Sequence, residues 1–335
     1  MPLPSIACHS SLPPQTPRVS KPVLVTGGAG FIGSHLVERL LAAGESVVVL
    51  DDLSTGRPSN LAAVAGNPRL RVLEGRVSGY GGLAELVSGC GFVFHLAAAV
   101  GVELVVNSPI RTIETNLREA EAILNAAGQG GVPVLFTSTS EVYGKSPKSV
   151  FREDDDLLIG PPTLGRWSYA CSKLMDEFLA FAYMRERGLP MTIVRLFNVS
   201  GPRQTGQWGM VLPRFVEAAK TGQPLRVHGD GEQTRCFCHV ADAVEALLRL
   251  RACVAARGEV VNVGNDVAIT IRELAQRVIA ELRSASVLET IPYEQAYAAG
   301  FEDMRHRRPD LAKLEQLTGF RPRRDLAEII RDLAA

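Results

Sequence analysis

Short apolar runs alternate along the chain with longer segments that carry apolar residues at every third or fourth position. Val23–Thr26 is a run of the first kind, and Val47–Leu50, Arg71–Leu73, Phe92–Leu96, Val132–Thr137 and Met191–Leu196 continue the series. Between the first two lies Ser34–Ala43, whose Leu36, Val37, Leu40 and Leu41 share one helical face before Gly44 stops it. Ile110–Ala127 and Trp167–Arg187 read as longer helices. Runs that are apolar throughout predict strands buried on both faces, and strands separated by helices predict βαβ units. The fold class is therefore α/β, a doubly wound parallel sheet over residues 21–198. After Asn198 the texture turns irregular, with Gly201-Pro202, Gly206, Gly209, Pro213 and Gly229-Asp230-Gly231. Helices are expected there at Leu212–Thr221, Val240–Arg249, Ile271–Arg283 and Asp325–Leu333. Residues 199–335 thus read as a smaller C-terminal α+β lobe, interleaved with the sheet unit, whose loops face a cleft. No internal repeat is present.

Composition narrows the classes. The 335 residues balance 36 Lys and Arg against 36 Asp and Glu. That balance argues against a dedicated nucleic-acid or membrane-surface binder, which carries a basic excess. No apolar run approaches the ~18 residues of a membrane span. Six cysteines, irregularly placed, are too sparse for a secreted disulfide framework. Residues 1–20 are rich in Pro, Ser and Thr and lack the basic start and apolar stretch of a signal peptide. They read as a disordered extension or a start placed too early. The expected compartment is the cytoplasm.

Chemistry enters at Gly27-Gly28-Ala29-Gly30-Phe31-Ile32-Gly33, between the first strand and the first helix. Glycines at 27, 30 and 33 permit a tight turn, close approach of backbone to a pyrophosphate and close helix packing. The helix start then offers N–H groups and partial positive charge to phosphate. With a strand before it and a helix after it, the loop predicts a Rossmann-type dinucleotide site. Asp51 ends the second strand, where a carboxylate would accept both ribose hydroxyls and repel a 2′-phosphate, so NAD is expected over NADP. The plainer role for Asp51 is to cap the following turn.

Tyr169 and Lys173 lie four apart at the start of the long helix and share one face. A phenol is a poor base at neutral pH unless a nearby ammonium and a positive nicotinamide ring lower its pKa. Upstream, Thr137-Ser138-Thr139-Ser140-Glu141-Val142-Tyr143-Gly144 supplies hydroxyls for a reacting sugar. With these in place the chain, from about residue 21 onward, resembles an extended short-chain dehydrogenase/reductase of the NAD-dependent epimerase/dehydratase family. The resemblance rests on the glycine loop, His95-Leu96-Ala97-Ala98, Thr139 with Tyr169 and Lys173, and Arg195-x-Phe197-Asn198-x-x-Gly201-Pro202-Arg203. Gly229-Asp230-Gly231-x-Gln233-Thr234-Arg235 completes it. It implies a nucleotide-diphosphate sugar substrate, with UDP the expected nucleotide, and an NAD reduced and reoxidised in each turnover. It also implies a homodimer. Gly27, Gly30, Phe31, Ile32, Gly33, Asp51, Leu96, Ala97, Tyr169 and Lys173 would hold the cofactor, and Asn198, Arg203 and Arg235 would handle the diphosphate.

Glu141, the segment Gly165–Tyr169 and the segment Gly300–Asp310 resemble the UDP-glucuronate decarboxylases in particular. That match places Glu141 and Arg307 at the sugar's carboxylate, with Ser140 helping to position it. The alternative is a UDP-sugar 4-epimerase or a dehydratase, in which Arg307 binds diphosphate and Glu141 is structural. The chain also departs from the family pattern. Gly75-Arg76-Val77-Ser78-Gly79 stands where Gly-Asp-x-x-Asp is usual, which predicts weaker cofactor affinity or Arg76 stacked on the adenine. The loop Ala99–Leu104 lacks the Pro/Asn/Tyr-rich pattern of the xylose synthases, and Glu103, if turned inward, would repel a hexuronate. Cys236 and Cys238 alternate on one expected strand without a second ligand pair, so no metal is predicted. Cys171 is expected to face away from Tyr169, and His95 to pack near the cofactor.

Overall fold

Val23-Leu24-Val25-Thr26 (β1) is buried at every position, as a strand covered on both faces must be. In the computed structural model of the protein, which describes residues 21–99, 108–206, 210–296 and 304–335, β1 lies at the heart of a seven-stranded sheet. Its other strands are β2 (Val47–Asp51), β3 (Leu70–Glu74), β4 (Phe92–His95), β5 (Val134–Thr139), β6 (Met191–Leu196) and β11 (Val260–Val263). The order is β11-β6-β5-β4-β1-β2-β3 and all pairs are parallel. The order reverses between β1 and β4, and in such sheets ligands bind outside the carboxyl ends of the strands at that crevice.

Alternate residues along each strand feed two separate cores. Val23, Val25, Val47, Val49, Phe94 and Val194 pack with α1 (Phe31–Ala42), α6 (Val240–Ala252) and α9 (Ala312–Thr318) on one face. Leu24, Val48, Val93, Val134, Phe136 and Ile193 pack with α2 (Leu83–Ser88), α3 (Pro109–Gly130) and α4 (Ser168–Arg187) on the other. A third core joins α5 (Val211–Lys220), β8 (Leu225–His228), α7 (Ile271–Glu281) and α10 (Leu326–Ala334) above the carboxyl ends of the strands. Here β8 pairs with β13 (Leu288–Ile291), and α8 (Tyr293–Ala296) follows it. Tyr143, Phe151, Trp167, Phe197 and Met304 form a fourth, largely aromatic core under the start of α4.

The Cys236–Cys238 stretch corrects the single strand expected there. Cys236 ends β9 (Thr234–Cys236), which pairs antiparallel with β12 (Ala268–Thr270). Cys238 opens β10 (Cys238–His239), which pairs with β7 (Val199–Ser200). The backbone changes partner at Phe237, so the two buried thiols belong to different ladders. Among the described residues no helix is long and apolar enough to cross a membrane. Residues 1–20 and the loop carrying Glu103 lie outside the described residues.

Candidate active site

A cavity of about 800 Å³ opens at the carboxyl ends of β1, β2, β4, β5 and β6 and is roofed by the C-terminal core. Its cofactor end is shaped by the glycine loop. Gly27 has a φ of +70°, and a Cβ there would stand 2.9 Å from the Ala97 nitrogen. A Cβ on Gly33 would stand 2.1 Å from the Gly27 carbonyl oxygen. No side chain caps α1, so its first turn faces the cavity with backbone donors, the arrangement a pyrophosphate needs. Phe31, Ile32, Leu96 and Ala97 line the same end.

Asp51 is buried, with Oδ2 accepting from the Ala29 N–H at 2.9 Å and Oδ1 from the Leu53 N–H at 2.8 Å. The capping role and the cavity-lining position therefore coexist, because each carboxylate oxygen can accept a further hydrogen bond. Burial pushes its carboxyl up, against the pull of those two donors. Arg76 also lines the cavity and pairs with Asp52 at 3.4 Å. His95 is buried on β4 with Nδ1 2.9 Å from Thr26 Oγ1. Burial, then the Lys173 charge, hold its imidazole down at about 3, so it stays neutral.

At the other end Thr139 closes β5, Tyr169 stands in the first turn of α4, and Lys173 follows one turn later; all three line the cavity. Thr139 is hydrogen-bonded to the Tyr169 hydroxyl. Lys173 Nζ lies 4.7 Å from the centre of the Phe136 ring and donates to Asp176 Oδ2 at 2.9 Å. Within the chain, burial and then the Glu141 charge raise Tyr169, while the Thr139 hydrogen bond opposes them. The ammonium meanwhile is balanced by Asp176.

Glu141 is the hub of a second cluster. Arg307 Nη1 donates to its Oε1 at 2.7 Å, and Arg166 Nη1 donates to its Oε2. Arg307 Nη2 reaches Ser140 Oγ at 2.6 Å. Burial works to raise the Glu141 carboxyl, yet Arg166 and Arg307 overcome it and hold the group at about 2. Arg235, buried on β9, adds its field to the same carboxylate. Arg307 arrives from far along the chain because its segment is stitched to Phe151, whose N–H donates to the Arg308 carbonyl and whose carbonyl accepts from the Asp310 N–H, both at 2.8 Å.

Asn198 lines the cavity with its Nδ2 held by the Cys236 carbonyl at 3.1 Å. Arg203 does not line it. Arg203 adopts a φ of 71° and turns to α1, pairing with Glu38 at 2.5 Å and donating to Ser34 Oγ at 3.1 Å. Two residues the sequence reading passed over belong here. Arg166 lies three positions before Tyr169, inside a stretch already singled out, and Asp176 lies three after Lys173. Cys171 is exposed. Among the described residues no group of three or more His, Cys, Asp or Glu is placed to hold a metal ion.

The profile of the NAD dependent epimerase/dehydratase family matches residues 23–264. The chain belongs to that family. It is 42% identical, over 91% of its length and 94% of the relative's, to the UDP-N-acetyl-alpha-D-glucosaminuronate decarboxylase of Bacillus cytotoxicus. Among solved structures, the UDP-N-acetylglucosamine 4-epimerase of Methanobrevibacter ruminantium M1, in complex with UDP-N-acetylmuramic acid, matches with a TM-score of 0.84 and 29% identity. The alignment covers 94% of this chain and 97% of that one. A double mutant of the dTDP-glucose 4,6-dehydratase DesIV from Streptomyces venezuelae, with NAD bound, matches with a TM-score of 0.82 and 31% identity, over 92% and 95% of the two chains. As a member of the NAD-dependent epimerase/dehydratase family the protein is an NAD-dependent enzyme, and the Gly27–Gly33 cradle fits that cofactor.

Proposed function

We propose that the protein decarboxylates a UDP-hexuronate, with UDP-N-acetylglucosaminuronate and UDP-glucuronate the two substrates to test first. The observation that carries this reading is the charge at the sugar end. Three guanidiniums, Arg166, Arg235 and Arg307, converge on one carboxylate, Glu141, and the surplus of positive charge suits a substrate that brings a carboxylate of its own. A UDP-hexose brings its diphosphate, which Arg235 can meet, but its neutral ring offers no carboxylate to the Arg166–Arg307 pair. The 42% identical relative, named a UDP-N-acetylglucosaminuronate decarboxylase, points the same way.

Gly27, Gly30, Gly33 and Asp51 would hold NAD, which would supply the hydride acceptor for oxidation at C4 and the hydride for the later reduction. The chain's residues do the rest. Tyr169, as phenolate, takes the proton from the C4 hydroxyl while Thr139 orients that hydroxyl, and Lys173 completes the set. The new C4 ketone is β to the C6 carboxylate. The C5–C6 bond breaks, carbon dioxide leaves, and the electron pair passes to the C4 oxygen as an enolate that the cationic end stabilises. Solvent water supplies the proton added at C5, leaving hydroxide to the bulk, and Tyr169 returns its proton to the C4 oxygen when the ketone is reduced. A carboxyl held near 2 carries no proton at neutral pH, so Glu141 acts here by fixing Arg166 and Arg307.

The reading extends to a cytoplasmic homodimer. The five cysteines among the described residues are free thiols, which suits a reducing compartment. Met175 and Phe178 on α4 are 52% and 62% exposed, an apolar pair suited to a second copy of the chain. Replacing Phe178 by Glu should shift the sedimentation profile toward monomer.

The decisive test is mass spectrometry of the products from the two UDP-hexuronates, UDP-glucose and UDP-N-acetylglucosamine. A product lighter by one carbon dioxide from a hexuronate is expected. An isomer of unchanged mass would instead make the protein a 4-epimerase, the second reading, which the fold match to the Methanobrevibacter ruminantium epimerase keeps open.

A further inference from the structure

Asp176 lies on α4 three residues past Lys173 and is fully buried. Its Oδ2 accepts from Lys173 Nζ at 2.9 Å, and its Oδ1 is buried with no hydrogen-bond partner among the described residues. A buried carboxylate with one oxygen unsatisfied is unfavourable, and a neutral side chain of the same size would fill the space without that penalty. The retained charge therefore acts on something nearby. Glu177, next along the helix, is committed elsewhere, to Arg195 of β6 at 2.8 Å and to Ser138 at 2.5 Å. Asp176 has only Lys173 as an ion-pair partner among the described residues, and Lys173 itself is enclosed against the Phe136 ring.

We propose that Asp176 is the positioning residue of the Tyr169–Lys173 pair: it fixes the Lys173 ammonium and offsets part of its charge, so that Tyr169 can both take a proton from the sugar and give it back. The inference rests on the reading of Tyr169 as the base. A cycle that oxidises and then re-reduces one substrate uses the same phenol as base and as acid, and such a group works best when its ionisation lies near the working pH. The ammonium favours the phenolate in the first half, and Asp176, by offsetting part of that charge, favours return of the proton in the second.

The charged and titratable groups around the pair are few. Tyr169 faces Thr139 and Glu141 from the end of β5 and the turn beyond it, Arg307 from the C-terminal segment, and Asp176 from its own helix. Asp176 faces Lys173 and Glu177. From α3 the uncharged Asn116 is bonded to Ser172 at 3.1 Å, while Arg111 and Glu119 of the same helix line the cavity, Glu119 bonded to Ser78. From β4 comes His95, neutral beside Lys173. Glu141 and Asp176 both work against the phenolate, and Arg307 works for it. Glu141 acts on the phenol more strongly but is matched by two arginines, whereas Asp176 is the carboxylate bonded to Lys173.

The test uses the full-length, NAD-loaded protein and two titrations. The first follows phenolate ultraviolet absorbance, as the difference between each protein and its Tyr169→Phe counterpart, and needs no substrate. The second follows the acid limb of turnover on the UDP-hexuronate. In Asp176→Asn both are expected to move to lower pH by about one unit, a roughly tenfold change in ionisation constant. Asp176→Leu, which fills the space without charge, is expected to give the same shift and carries the test if the Asn variant does not fold. Coincident phenolate titrations in the folded variants and the unmutated protein overturn the proposal. Collapse of both variants overturns it too, because Asp176 then serves folding alone. If the unmutated protein decarboxylates nothing, the functional reading fails, while the substrate-free titration still decides the role of Asp176.

Discussion

At the cofactor end, Gly27, Gly30, Gly33 and Asp51 come from one contiguous stretch, and backbone geometry fixes their arrangement. At the sugar end, Glu141, Arg166, Arg235 and Arg307 come from four separate segments and are held together by charge. The first end has no room for an added carbon at Gly27 or Gly33. The second has room for side chains yet depends on every charge being present. One molecule thus contains two kinds of precision, steric and electrostatic, and they fail in different ways.

The largest effect is expected where the two ends meet. Tyr169→Phe should lower turnover about a thousandfold while leaving NAD affinity and folding nearly unchanged, because only a hydroxyl is lost. Steady-state rates beside an NAD titration check this; retention of most of the turnover would move the base elsewhere. Next comes a purely steric insult. Gly33→Ala forces a carbon to within 2.1 Å of a backbone oxygen and should cost about 3 kcal/mol in denaturant unfolding, with loss of NAD binding. The matching electrostatic insult, Glu141→Gln, should spare NAD binding yet slow carbon dioxide release about a hundredfold. If Glu141→Gln weakened NAD as much as Gly33→Ala did, the division between the ends would collapse.

A pH experiment separates the ends further. The unfolded His95 imidazole takes up a proton near 6.5, whereas the folded one does so only at about 3. Between those values the unfolded state binds more protons, so stability must fall as pH falls through that window. The slope should be about 1.4 kcal/mol per pH unit from this group, and His95→Asn should flatten it in unfolding curves taken across the window. The smallest effect concerns cofactor choice. Asp51→Ala should narrow the preference for NAD over NADP about tenfold in paired binding titrations, since it removes both the ribose acceptor and the repulsion of a 2′-phosphate. Equal affinity of the unmutated protein for both cofactors would sink that account.

The same contrast explains what was legible in the sequence. The βαβ units and the glycine cradle are written in short-range pattern, because strands such as Val23–Thr26 are buried on both faces and glycines at 27 and 33 answer local contacts. Tyr169 and Lys173 share a helix face, and that too is local. Arg203 was not legible, because its partner Glu38 lies across the fold on α1 and no spacing records it. Asp176 was hidden differently: it is near Lys173 in sequence, but only the burial of both side chains turns two charges into a pair. The break at Phe237 escaped because the strands that claim Cys236 and Cys238 come from separate regions, Ala268–Thr270 and Val199–Ser200. Val260–Val263 carried the strand signal and yet went unassigned amid irregular surroundings; it forms the edge of the main sheet beside β6.

The stitching of Arg307 to Phe151 bears on how the protein is made. Translation delivers β1 to β6, six of the seven sheet strands, together with the complete glycine cradle, before any of the C-terminal core exists. N-terminal portions of a chain generally fold first during synthesis. The nascent protein therefore acquires its glycine cradle early, and the guanidinium that pairs with Glu141 is added near the end of translation. A chain cut short just before residue 304 keeps the cradle and the Tyr169–Lys173 pair but lacks Arg307, so premature termination yields a product that lacks part of the cationic end.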